Sequence, residues 1–488
     1  MKKKILLSLF AIALFSCEKE FLDTEAKQYV TQSQLEELAK SSPEALLVIN
    51  TGVEDGQYAF MREFSTNFED TGSRHDDFGQ MSINLGLDLM GNDMVQVTDH
   101  WMGNYYSYRG RTEDFSTTRI IWNFYYSIIR NVNSVISQIP ADATDNRLIY
   151  LKARARALRG YSYFNLVRVY QHGFSNSQSA PGIPIYAADL EINIPSRASV
   201  QQVYDLIMMD MEAAYTAIDG YARDSKEKLD KSVVAGLYAR VLLETGSDYN
   251  RCAQLAAEAK NAGSLMTSTQ WVSEGFSQIA NNEWLWGADI NSESSTVYAS
   301  FFSHVSSLNA GYAGLLGIHK TIDKRLYEAI SATDVRKTAF EDEAGGFINS
   351  KFFDFTFFEG DYVYMRVAEM YLTEAEAFAR GGNDPLAAAV LYDLVSTRDP
   401  GYTLSTNTGS ALINEILLQR RIELWGEGFG WFDMKRNGVA LERDYPGSNH
   451  AAFGKDNYAV GAKEFLFQIP RKELDANLDI NDTDQNPL

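Results

Sequence analysis

KSVVAGLYARVLLETGSDYNRCAQLAAEAKNAG, residues 231–263, decides the fold. It reads as a helix, a short turn TGSDYN, and a second, Ala-rich helix. Small residues let two helices approach closely, and a Gly in the turn lets the chain reverse. DYVYMRVAEMYLTEAEAFARGGNDPLAAAVLYDLVSTR, residues 361–398, repeats the pattern with RGGNDP as its turn. A degenerate repeat of this kind predicts antiparallel helix pairs of the tetratricopeptide type.

Apolar residues at helical spacing extend this reading outward. Segment 120–139 predicts a helix stopped by Pro140, and 145–171 another, with Leu151, Ala155, Leu158, Ser162 and Asn165 on three-four steps. A further helix is predicted over 200–218. Strand signals are sparse. NEWLWGADI at 282–290 alternates as a strand, with Trp284 and Trp286 on one buried face, and FLFQIP at 465–470 is a second short apolar run. Long Gly-, Ser-, Asn- and Tyr-rich segments at 51–119, 172–199, 287–320 and 399–410 lie between. Loops of that length point to function, and their aromatic content argues against disorder. The expected class is mostly α, with helix pairs, long loops and a few short strands.

Composition sets limits. The chain has 488 residues, 45% hydrophobic and 22% charged, enough for a large core. Its formal net charge of -21 repels phosphate backbones, so nucleic acid is not an expected partner. Only two cysteines occur, Cys17 and Cys252, too few for a disulfide framework or a zinc site. Cys252 lies in an Ala-rich helical pattern and reads as a small buried side chain.

The first sixteen residues read as an address. MKKK is followed by ILLSLFAIALF, an apolar run too short to span a bilayer but suited to a secretory signal. LFSC, 14–17, then resembles a bacterial lipobox, in which Cys17 becomes the lipidated N-terminus. Residues 1–16 are read as signal peptide, 17–40 as the leader behind the lipid anchor, and 41–488 as the body, with parts 41–230 and 231–488.

A search for chemistry finds little. There is no phosphate loop, no His-Glu-x-x-His and no Gly-x-Ser-x-Gly. GEGFG, 426–430, sits at a helix end without a preceding strand, which argues against a dinucleotide site. The six histidines are scattered without paired spacing. NLDINDTDQ, 477–485, lacks the Gly and final Glu of a calcium loop and reads as a solvated tail. The expectation is no metal, no cofactor and no catalysis. A glycoside hydrolase built on spatially paired carboxylates is the rival within enzymes.

Four segments in order resemble the SusD/RagB family of nutrient-binding outer-membrane lipoproteins. They are the lipobox with FLD at 21–23; KARARALRGYSYFNLVRVYQHGF at 152–174 with GIPI at 182–185; YMRVAEMYLTEAEAFAR at 364–380; and INEILLQRRIELWGEGFGWFDMKRNG at 413–438 with FQIPRKEL at 467–474 and QNP at 485–487. Gly430 stands where the family often has Arg, and Gln419 where Glu is common. The motif charges read as scaffold. Arg420 with Glu423 and Asp433 with Arg436 are i,i+3 neighbours. Arg154, Arg156 and Arg159, with Glu369, Glu374 and Glu376, suit pairing between helices.

The resemblance implies a SusD-like fold and a lipid-anchored, surface-exposed protein of the outer membrane. It would bind an oligosaccharide and deliver it to a SusC-like TonB-dependent transporter; a peptide ligand is the alternative, since some members take peptides. A pyranose stacks its C–H face on an aromatic ring while its hydroxyls seek polar groups. DHWMGNYYSYRG, 99–110, has that mixture and lies where the family's N-terminal ligand loop falls. SSTVYASFFSHVSSLNAGYAG, 294–314, lies in the region of its second ligand-facing segment. The expected ligand-binding residues are Trp101, Asn104, Tyr105, Tyr108, Arg109, Tyr298 and Tyr312, while Phe301 and Phe302 are expected in the core.

Overall fold

The computed structural model describes residues 42–340, 347 and 349–488. The signal peptide, Cys17 and the leader to residue 40 lie outside the described residues. The chain divides into two compact units at Gly52 and Val53. Of the first, the described part is the beginning of helix α1 (Pro43–Phe60).

The second unit carries α2 (Gln80–Asp88), α3 (Ser116–Gln138), α4 (Asn146–Tyr170), α5 (Val200–Ala217), α6 (Lys231–Thr245) and α7 (Tyr249–Lys260). After a long loop region come α8 (Val367–Arg380), α9 (Asp384–Val395), α10 (Gly409–Glu423) and α11 (Gly430–Arg436). From α3 to α9 each of these helices packs on the next, and α10 packs on α8. This is the stacked arrangement of helix pairs that the two repeated segments predict.

The turns follow from their residues. Gly246 closes α6 in the left-handed region at φ +64°, where a side chain is disfavoured, and Asp248 caps α7 by accepting from Arg251 N. Gly236 of α6 meets Met365 and Met370 so closely that an added Cβ would lie 2.5 Å from the Met365 sulfur. The small residues thus set how near α6 comes to its neighbours.

Four two-stranded antiparallel ladders complete the described part. Three of them matter here: β1 (Met94–Gln96) with β5 (Lys320–Ile322), β2 (Ile185–Ala187) with β3 (Ile192–Ile194), and β4 (Trp284–Ala288) with β6 (Tyr362–Arg366). The second repeat therefore departs from its expected form. Residues 362–366 are a strand, because β4 offers a partner, and helix α8 starts only at Val367. FLFQIP forms no strand. Its backbone bonds to a helix end and a loop, with Phe467 N donating to Val169 O at 3.3 Å and Gln468 N to Arg111 O at 2.8 Å. The C-terminal tail is only partly solvated. Ile480 is buried, and the buried Asn486 amide donates to Tyr170 O and Phe467 O, each at 2.7 Å.

The motif charges hold the scaffold with partners other than the nearest in sequence. Arg420 pairs with Asp433 at 2.6 Å and not with Glu423, whereas Asp433–Arg436 forms as expected at 2.9 Å. Arg154 reaches Glu54, Arg156 reaches Asp189, and Arg159 reaches both Asp189 and Asp210. Glu369 takes Arg240, Glu374 takes Lys260, and Glu376 takes Arg380 and Arg436. The centre of the C-terminal half is a buried cluster in which Glu423 meets Arg336, Arg366 and Arg398, while Glu283 shares Arg366 and Arg398. Burial opposes the Glu423 charge, yet these guanidinium groups hold its carboxyl well below the usual range. GEGFG is a turn capped by Asp88, which accepts from Gly428 N and Gly430 N at 2.8 Å each.

Candidate functional site

Strand β1 ends where the loop containing DHWMGNYYSYRG begins, and β5 begins shortly after 294–314 ends. Their antiparallel register sets Gln96 opposite Lys320. Two loops far apart in sequence therefore leave one ladder side by side. The Gln96 amide ties down the first loop by donating to Thr98 O at 2.9 Å and Trp101 O at 3.2 Å.

This brings Trp101 and Tyr312 to one patch, joined through His75. The half-buried Trp101 ring lies nearly parallel to His75, with centroids 5.9 Å apart and planes at 13°. The Tyr312 hydroxyl meets His75 Nδ1 at 2.7 Å. The Arg74 guanidinium sits 5.3 Å from the Trp101 ring centroid. The exposed His100 touches both Trp101 and Tyr312, at 6.1 and 5.4 Å. Beneath them the buried His304 stacks on Tyr312 at 4.8 Å and donates from Nε2 to the His75 carbonyl at 2.7 Å. Burial, aided by the charge of Lys320, holds His304 well below the ordinary histidine range and lowers His100 too. The result is a partly exposed aromatic platform with the neutral His304 imidazole at its base.

The rim is polar. Arg109 is exposed and donates to both oxygens of Asp99, at 2.7 and 2.9 Å, closing the loop on itself. Asn104 is half-buried beside them in sequence. Gly103 fits under Asp99 so tightly that an added Cβ would lie 2.4 Å from its carboxylate. Met102 and Tyr108 hold left-handed backbone at φ +71° and +58°, a conformation that costs a side-chain-bearing residue roughly 1 kcal/mol or more. Their buried side chains supply the compensation.

The structure corrects two of the expected ligand contacts. Tyr105 and Tyr108 are only 2% and 4% exposed, so neither presents a face to a ligand. The Tyr105 ring fills the space over Gly86, where a Cβ would come within 2.5 Å of it, and the Tyr108 hydroxyl donates to Met90 O. Tyr106 is buried as well, against His450 at 2.8 Å. Tyr298 is 46% exposed but packs on Phe358 at 5.8 Å, with no contact to the Trp101 group among the described residues. Phe301 and Phe302 are buried, as expected.

Sequence reasoning missed Arg74, His75 and His304. Arg74 and His75 are neighbours in one loop and His304 lies in a short helix over 200 residues away, so only the fold unites them with Trp101. His100 alone carried a signal, as the neighbour of Trp101. No group of three or more His, Cys, Asp or Glu is placed to hold a metal among the described residues. No helix among them is long and apolar enough to cross a membrane.

Stacked helix pairs that carry an aromatic platform on loops at one ladder define a helical scaffold with a partly exposed aromatic patch. Known proteins agree on the scaffold. Residues 314–488 match the SusD family profile, and residues 56–243 match one described as starch-binding associating with outer membrane. The SusD-like protein P38 of Formosa agariphila is 25% identical over 391 residues, spanning 68% of this chain and 74% of that protein. A SusD-like carbohydrate binding protein from Bacteroides vulgatus superposes with a TM-score of 0.78 at 26% identity, covering 91% of this chain and 98% of its own. Surface glycan-binding protein A from Bacteroides thetaiotaomicron, solved with laminarihexaose, shares the fold at a TM-score of 0.67 and 16% identity, over 90% of this chain and 98% of that one. Over both matched segments the chain is similar to the SusD family.

Proposed function

We propose that the protein is a cell-surface lipoprotein, anchored through Cys17, that binds neutral oligosaccharide at the Trp101 platform without turning it over. It then delivers the ligand to a SusC-like TonB-dependent outer-membrane transporter. The observation that carries this reading is the union of Trp101 and Tyr312 on His75, with Asp99, Asn104 and Arg109 at the rim. A ring face for sugar C–H groups beside amide, carboxylate and guanidinium partners for hydroxyls is the chemistry a glycan needs. The relatives described as carbohydrate- or glycan-binding support the same class of ligand.

Isothermal calorimetry with a panel of neutral hexasaccharides tests it. A saturable isotherm, weakened at least tenfold by Trp101→Ala, is the expected result. Heat that persists in proportion to substrate would mean hydrolysis and overturn the non-catalytic reading. A flat trace across the panel, with saturable binding of peptides instead, would replace glycan by peptide. Co-purification of the chain with a TonB-dependent transporter from the outer membrane tests delivery, and its absence from such a complex would remove that part.

A further inference from the structure

A second recess lies away from the platform. It is a groove of about 770 Å³ between helix α3 and the turn at 65–70, open along one side. That volume is within the range of pockets that hold small ligands. Phe68 stands on the turn, 63% exposed although apolar. Tyr126 of α3 and Tyr186 of β2 face the same space, both half-buried. Their hydroxyl and backbone are fixed, since Tyr126 donates to Pro184 O at 2.9 Å and Tyr186 O accepts from Asn133 at 2.7 Å.

Polar groups alternate with these rings. Asn123 is held by Asp70, to which its amide donates at 2.9 Å, and Asp70 also pairs with Lys472. Arg130 and Glu69 line the groove, both exposed and without an ion-pair partner among the described residues. A guanidinium, a carboxylate and an exposed ring in one groove again suit a hydroxyl-rich ligand. Arg130 is outnumbered by Glu69, Asp70 and Glu473, which disfavours a polyanion. A peptide bound by main-chain pairing needs a free strand edge. Here the long wall is helical, and the backbone amides of Phe68, Asp70 and Thr71 bond within the turn.

The groove and the platform rest on one pinned loop. Phe64 meets His75 edge-on at 5.7 Å. Between them the loop is closed by Ser65 N donating to Asp77 O at 2.8 Å and Arg74 N to Ser65 Oγ at 2.9 Å. The Asp77 carboxylate adds bonds from Thr66 Oγ1 at 2.9 Å and Asn67 N at 3.3 Å. We propose that this groove is a second binding site for neutral oligosaccharide, with Phe68 as its stacking surface and Arg130 and Glu69 as its hydroxyl partners. The proposal rests on the glycan reading of the platform and adds a separate site to it.

The test uses the intact chain and two variants, Trp101→Ala for the platform and Phe68→Ala/Arg130→Ala for the groove. All three groove and platform side chains are at least partly exposed, so folding is expected to survive, and thermal unfolding checks it. Laminarihexaose, maltohexaose, cellohexaose, xylohexaose and mannohexaose are titrated, with hydrogen exchange recorded in parallel. The expected result is that a hexasaccharide slows exchange at 65–70 and 122–133. Weak binding should survive Trp101→Ala and fall at least fivefold further when the groove substitutions are added. Wild-type binding by the groove variant, with no slowing at 65–70 and 122–133, overturns the second site and leaves the platform intact. Failure of every hexasaccharide to bind the wild type overturns both readings together. Slowing of the groove by peptides alone overturns the glycan assignment.

Discussion

Gln96 and Lys320 face each other across the β1–β5 ladder, and the buried Gln96 Oε1 has no hydrogen-bond partner among the described residues. Lys320 is wholly buried, with Ile318 O at 3.3 Å as its hydrogen-bond acceptor, and burial lowers its ammonium to about 7. A lysine depressed in the fold is protonated more readily in the unfolded chain. The Lys320 contribution to stability is therefore least favourable below pH 7 and rises as the pH climbs from about 7 toward the ordinary lysine value. Lys320→Met is expected to stabilise the protein by about 1–4 kcal/mol at pH 6 and to flatten its stability between pH 7 and 10. Urea unfolding at several pH values checks this; an unchanged pH slope would count against it.

The platform separates ring exposure from ring content. Trp101→Ala should cost on the order of 1.4 kcal/mol or more of glycan binding, a tenfold loss, with little change in stability. Tyr108→Phe should do the reverse. It removes the hydroxyl that donates to Met90 O, costs about 1 kcal/mol of stability, and leaves affinity unchanged. Paired calorimetry and thermal unfolding distinguish the two.

Glu423 holds three guanidinium groups in the core. Glu423→Ala strands Arg336, Arg366 and Arg398 with less counter-charge and should cost about 3–5 kcal/mol. A loss under 1 kcal/mol by urea unfolding would show that Glu283, which shares Arg366 and Arg398, compensates.

Glu376 gives the acid limb of the stability curve. Burial opposes its charge, but Arg436 and Arg380 lower its carboxyl to about 2. Its stabilisation is complete above the ordinary glutamate value and is lost as pH falls from about 4.5 to about 2, by roughly 3 kcal/mol. Glu376→Gln should flatten unfolding free energy across that interval, measured by urea titration at each pH.

Cys17→Ala tests the anchor. The unlipidated chain should leave the membrane fraction while keeping glycan affinity. Retention in the outer membrane would point to a different tether.

The helix pairs were legible because their signals are local. Gly246, Asp248 and the alanines of α6 and α7 act within a few residues of one another, and the structure follows them closely. Strand β6 was hidden because its partner Trp284–Ala288 lies far away in sequence, and YVYMR continues smoothly into helical spacing. The site divided along the same line. Trp101 and Tyr312 were visible as residue types in segments where the family's ligand loops fall, but burial of Tyr105 over Gly86 and the place of His75 depend on contacts that no short stretch encodes.

The β1–β5 ladder also fixes when the platform can exist. Synthesis runs from the N-terminus, so Trp101 emerges long before Lys320 completes the ladder that sets Tyr312 beside it. Until then the Trp101 loop has half its partners and no finished surface. The platform is thus completed late, and a chain cut short before β5 would carry the tryptophan without the surroundings that the ladder gives it.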